Sequence, residues 1–221
     1  MAREILDRKI RHLYDEILIL DSMVEQATTE AVAALQHRDL QRAERVCTDD
    51  SAINARRYAL ENELMITIAT QQPIMATDLR TLASMLEVTG ELERIGDYAK
   101  GIAKVCLLVG DQPHLKLPPD FNIMGELVGG MLHRAIGAFV NQNVALAQAI
   151  PAEDDRVDDL YNQLYRHLVG VMVQDPTTID HANYLMWAAH NLERMADRVT
   201  NICERTIYVA TGTLREVDAS G

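Results

Sequence analysis

The sequence predicts an all-α protein built as two tandem three-helix bundles, six long helices with an internal repeat. Three observations carry that prediction. Apolar residues recur in alternating steps of three and four over long runs, which is the signature of helices that bury one face. No period-two alternation occurs anywhere, so no sheet is expected. The third observation is a repeat: Leu92-Glu93-Arg94-Ile95-Gly96-Asp97 returns one hundred residues later as Leu192-Glu193-Arg194-Met195-Ala196-Asp197, with Ile102 and Ile202 in step behind them. At 221 residues the chain has room for two units of roughly 110 or one fused core.

The first helix is expected from about Ile5 to His37, on the stripe Leu6, Ile10, Leu13, Ile17, Leu20, Val24, Ala27, Ala31, Ala34. Arg38-Asp39 reads as a turn, with Asp39 placed to accept from the free amides of the second helix. That helix runs to about Thr70, where Gln71-Gln72-Pro73 breaks it, since proline lacks an amide hydrogen and disfavours helical geometry before itself. A third helix follows from about Ala76 to Val109 and ends at Gly110-Asp111-Gln112-Pro113. The proline-rich run to Pro118-Pro119-Asp120 is the one clear linker and divides the chain into 1–112, 113–119 and 120–221. The fourth helix is expected over Phe121 to Ala149. Pro151 and Glu153-Asp154-Asp155 then open a fifth, which runs to about Val173. Asp175-Pro176-Thr177 matches the Pro73 break, and the sixth continues to about Ala210.

Bulk properties exclude several functions. A net charge of −12 is at odds with phosphate-backbone binding, which needs a basic stripe, so nucleic acid is not an expected partner. The first ten residues carry Arg3, Glu4, Asp7, Arg8 and Lys9, and even Ile123 to Val140 is interrupted by charge or histidine, so no signal core or membrane insertion is expected. Cys47, Cys106 and Cys203 are odd in number and form no Cys-x-x-Cys; they read as small apolar residues in a reducing cytosol. Trp187 and most methionines read as packing residues. There is no Ser/His/Asp set or glycine-rich phosphate loop, and no catalytic residue is expected.

The chemistry lies in the repeat. Residues four apart share a helix face, so Glu93 pairs with Asp97 and Glu193 with Asp197, each on the flank of an apolar stripe. A solvated face with local ion pairs, Asp97 with Lys100 and Arg194 with Asp197, is the ordinary explanation for one such motif. Its duplication favours a hard-cation site, because paired carboxylates suit iron, manganese, magnesium or calcium. Asp50, Asp154, Asp158, His190 and Asn201 are further candidate ligands, although acids at helix heads are favoured by the amide ends in any case. Gly90 and Gly101 on the carboxylate side suggest a close approach there, by a ligand or another backbone. A ferritin-like di-metal enzyme is a rival, but it would need Glu-x-x-His motifs that this sequence lacks. A metal-free helical module whose acidic faces meet basic partners is the other.

Taken together, Glu93-Arg94-Ile95-Gly96-Asp97, Glu193-Arg194-Met195-Ala196-Asp197 and Gln72-Pro73-Ile74-Met75-Ala76-Thr77-Asp78-Leu79-Arg80 resemble the PhoU family of phosphate-specific transport regulators. Asp21-Ser22-Met23 and Asp50 with Ile53-Asn54 fit the same pattern. The resemblance implies a cytoplasmic, non-enzymatic, commonly dimeric protein of two three-helix bundles. It also implies a role between the ATPase of a phosphate transporter and a membrane sensor histidine kinase, holding the starvation response off when phosphate is ample. Metal clusters in some family members imply ligand roles for Glu93, Asp97, Glu193 and Asp197, with iron first and manganese, magnesium, zinc or calcium as alternatives. The second half lacks a counterpart of Asp78-Leu79-Arg80, so the halves are expected to differ.

Overall fold

The computed structural model describes residues 2–110 and 115–214. Within them the chain is helical, with α1 Ala2–His37, α2 Leu40–Thr70, α3 Ala76–Val109, α4 Asp120–Val140, α5 Val144–Ala149, α6 Asp154–Gln174 and α7 Ile179–Thr211. Of the linker expected over 113–119, residues 113 and 114 lie outside the described residues. Asp39 caps α2 as expected, its Oδ1 accepting from the Arg42 amide at 2.9 Å. Gly110 and Gly212 close α3 and α7 with φ of 64° and 74°, conformations that glycine adopts without a Cβ penalty.

The fourth helix departs from expectation. It stops at Val140, and the chain turns through Asn141-Gln142-Asn143 before α5, where a continuous helix to Ala149 was expected. The reason is a cap and a left-handed residue that match the first half: Gln142 has φ 50° where Arg38 has φ 53°, and Asn143 Oδ1 accepts from the Leu146 amide as Asp39 does from Arg42. Val144 through Gln174 therefore stands where Leu40 through Thr70 stands, at one constant offset. Pro151 lies inside that arm and only tightens it into a 3₁₀ turn over Ile150–Glu153. With this alignment Asp50 corresponds to Asp154, Asn54 to Asp158 and Arg57 to Tyr161.

One core runs through both halves, from Leu13, Ile17 and Leu20 in α1 to Phe121, Phe139 and Leu164 beyond the linker. Leu92 and Leu192, the apolar anchors of the repeated motif, are both buried in it. α3 and α7 lie antiparallel at its centre and form the seam between the repeats. Glu91, 7% exposed, accepts from Asn201 Nδ2 at 3.3 Å, with Arg198 Nη1 3.6 Å away. The repeat-related contact is Asn191 against Gly101, where a Cβ on the glycine would fall 2.6 Å from Asn191 Nδ2. The close approach expected at Gly101 is thus a side chain of α7, while Gly90 has open space around it. α4 is long and apolar enough to cross a membrane by length and composition, and it turns Phe121, Met124, Val128, Leu132, Ile136 and Phe139 into the core.

Candidate functional site: two carboxylate clusters

In the first repeat, burial of Leu92, Ile95 and Ala99 fixes the rotation of α3 and leaves Glu93 and Asp97 on the flank that meets α2. There they join Asp50, the most buried acid of the group at 5% exposure. Asp50 Oδ2 accepts from Lys100 Nζ at 2.6 Å and from Asn54 Nδ2 at 3.0 Å. Glu93 Oε1 accepts from Arg57 Nη1 at 3.2 Å, and Arg57 Nε also reaches Glu61 at 2.9 Å. Burial raises the pKa of Glu93; Arg57 opposes that rise, while Asp97 and Asp50 add to it. The hydrogen bond from Lys100 to Asp50 holds the ammonium above its ordinary range. Lys100 therefore serves Asp50, across the helix pair, and not chiefly Asp97 on its own helix as its spacing suggested.

The second repeat brings together Asp154 and Asp158 of α6 with Glu193 and Asp197 of α7. Their charges act on one another. Asp154 is pushed up to about 7, first by burial and then by Asp197, Asp158 and Glu193. Asp158 and Glu193 are raised by burial first and Asp197 next. Asp154 Oδ1 is buried and accepts no hydrogen bond in the described structure. Glu193 Oε2 stands 3.2 Å from His190 Nδ1, and Asp197 Oδ2 stands 2.8 Å from Arg194 Nη1, the latter pair as its spacing indicated. Arg194 also faces Tyr98 across the seam. The positions of Arg57 and Lys100 are taken here by Tyr161, whose hydroxyl pKa is raised by burial and then Glu193, and by Thr200, which donates to the Asp197 carbonyl at 2.7 Å.

Among the described residues no three His, Cys, Asp or Glu groups converge tightly enough to hold one ion. In the first cluster Asp50 and Glu93 turn toward Lys100 and Arg57, and in the second Asp197 turns toward Arg194. Loading a metal therefore requires side-chain rotation, for which the half-exposed flanks leave room. The donor chemistry of the second cluster fits a hard cation, with carboxylate oxygens, an unpartnered buried Oδ1 and an imidazole within reach. Asn201 is turned to the seam, where it serves Glu91.

A family model described as the PhoU domain matches residues 17–106 and again residues 121–206. The chain belongs to the PhoU family. It is 33% identical over 218 residues to a phosphate-specific transport system accessory protein PhoU homolog of Clostridium acetobutylicum, covering 99% of each chain. It is 32% identical over 209 residues to the homolog of Aquifex aeolicus, covering 95% of this chain and 94% of that one. The fold superposes on the crystal structure of the phosphate transport system regulatory protein PhoU from Streptococcus pneumoniae with a TM-score of 0.89 at 30% identity, over 95% of this chain and 99% of that one. For PhoU from Pseudomonas aeruginosa the TM-score is 0.87 at 30% identity, over 94% and 99%.

Against this PhoU fold, three residues of consequence escaped the sequence reading. Arg57 carries no motif, and Lys100 meets Asp50 where its spacing points to Asp97. Glu91 looked like any helical acid, although its buried place in the seam is shared with Arg198 and Asn201 from the other repeat. Asp78 is buried and paired with Arg3 of α1, and Arg80 lies against the end of α7 at Gly212, so that run joins chain ends. Trp187, expected to pack, is half exposed and meets the edge of Tyr184 at 5.7 Å. Cys106 and Cys203 are buried as expected, and Cys47 is half-buried.

Proposed function

We propose that this chain is a cytoplasmic, non-enzymatic regulator of phosphate uptake and of the phosphate-starvation response. In this reading it works as a homodimer and as an adaptor between the ATPase subunit of a phosphate ABC transporter and a sensor histidine kinase. The observation that carries the reading is the end-to-end match to proteins named phosphate-specific transport system accessory protein, with the same domain matched twice. The acidic helical flanks support it as docking surfaces. A metal ion, iron first and manganese, magnesium, zinc or calcium as alternatives, belongs to the same reading. Glu193, Asp197, Asp154 and Asp158 would hold it in the second repeat, with Glu93 and Asp97 as the first-repeat counterparts. When bound it would supply charge that offsets carboxylate repulsion and clamps α6 to α7.

A metal-free form of the same adaptor is supported by the cationic partners that already satisfy Glu93, Asp50 and Asp197. Partner binding that weakens with salt but ignores a chelator would favour it. The primary test is the output of a phosphate-starvation promoter in cells lacking this chain and grown with ample phosphate. Derepression reversed by the natural chain is the expected result; an unchanged promoter would remove the regulatory role.

A further inference from the structure

We infer that Lys100 occupies the first repeat's carboxylate cluster as a built-in cation, so that this repeat takes no metal ion and the second repeat alone does. The inference rests on the metal reading above and refines it by naming the repeat and the residue that decides.

The argument is a comparison of equivalent positions. In both repeats the second arm supplies a buried or half-buried aspartate, Asp50 from within α2 and Asp154 from the start of α6, and the facing helix supplies Glu-x-x-x-Asp. In the first, the aspartate is satisfied by an ammonium at 2.6 Å and the glutamate by a guanidinium at 3.2 Å. In the second, a threonine and a tyrosine stand at those places, and neither brings a charge. An ion entering the first cluster would have to displace Lys100 from Asp50. The ammonium could not go far: Lys100 lies three residues beyond Asp97 on the same helix and would remain within a few ångströms of the incoming charge, where like charges repel strongly in a partly desolvated site. The second cluster has the opposite need. Asp154 Oδ1 is buried with no hydrogen-bond partner, Glu193 meets only the imidazole of His190 at 3.2 Å, and Arg194, 2.8 Å from Asp197, is the one guanidinium in direct contact among the described residues.

The test is equilibrium dialysis of the full chain against Mn²⁺ and, without oxygen, against Fe²⁺, with elemental analysis of retained metal and thermal melts as folding controls. The natural chain and E93Q/D97N are expected to retain the same metal with the same affinity, while E193Q/D197N weakens retention at least about tenfold. K100T, which installs the second repeat's residue, is expected to add a new class of site. T200K, the reciprocal change on a half-exposed helix position, is expected to weaken the existing site by about tenfold or more and does not depend on K100T remaining folded. Equal loss in E93Q/D97N and E193Q/D197N would overturn the inference and leave the metal reading intact. Retention unchanged in T200K would also overturn it. A natural chain that retains neither metal would overturn the metal reading itself, and this inference with it.

Discussion

The two carboxylate clusters share a motif and differ in how their charge is balanced. In the first, Lys100 and Arg57 neutralise the acids from within; in the second, Tyr161 and Thr200 leave them to repel one another. A repeat therefore preserves backbone geometry and carboxylate placement more faithfully than electrostatics, because one or two substitutions at the rim reverse the charge balance without touching the core. The pattern extends to α1 and α4, where Asp21 of the first repeat corresponds to Gly125 of the second, packed against Val32.

The largest expected effect breaks that last correspondence. Asp21 is 6% exposed, Oδ1 accepts no hydrogen bond, and burial followed by Glu25 pushes its pKa up to about 8. The native state thus binds a proton that the unfolded chain, with an ordinary carboxylate, gives up near pH 4. Its contribution is fully present below pH 4 and is lost as pH rises to 8, a fall of about 4 kcal/mol once incomplete burial is allowed for. Urea unfolding of D21N between pH 4 and 8 should show a slope flatter by about that amount; an identical slope would mean Asp21 finds a partner in solution.

Next come the clusters themselves, in metal-free protein. Lys100→Ala leaves Asp50 buried with only Asn54 and should lower stability by about 2 kcal/mol, less than a fully buried pair would because Lys100 is partly solvated. Asp154→Asn removes a repelling charge and should raise stability by about 1 kcal/mol at pH 8. Thermal melts with the same sign for both variants would erase the distinction between the repeats. The smallest pair lies on α3: Gly90→Ala, in open space within a helix, should stabilise by up to about 1 kcal/mol. Gly101→Ala must push Asn191 aside and should gain nothing or destabilise by about 1 kcal/mol.

Much of the architecture was legible from local signals. Asp39, Pro73, Gly110 and the spacing of Leu92, Ile95 and Ala99 each act through the few residues around them, so helix ends and faces followed directly. The break at Asn141–Asn143 was missed because Pro151 is the stronger local signal; the turn is evident only when Gln142-Asn143 is set beside Arg38-Asp39. The carboxylate pairs were legible for the same reason as the helices, four residues being one turn. Their counter-charges were not, since Lys100 reaches Asp50 across α2 and Arg57 reaches Glu93 across α3. Glu91 and Asn201 belong to tertiary packing, and no spacing within either helix points from one to the other.

The antiparallel seam of α3 and α7 has a consequence for the evolution and handling of the chain. Two related units meeting antiparallel about a local twofold axis, with Glu91–Asn201 on one side and Asn191–Gly101 on the other, form the kind of self-complementary contact that two separate copies make in a twofold oligomer. Here that contact is covalently tethered and has become the centre of a common core. Half of the chain on its own would be a subunit stripped of its mate, with the buried faces of α3 or α7 laid open to whatever apolar surface could replace it.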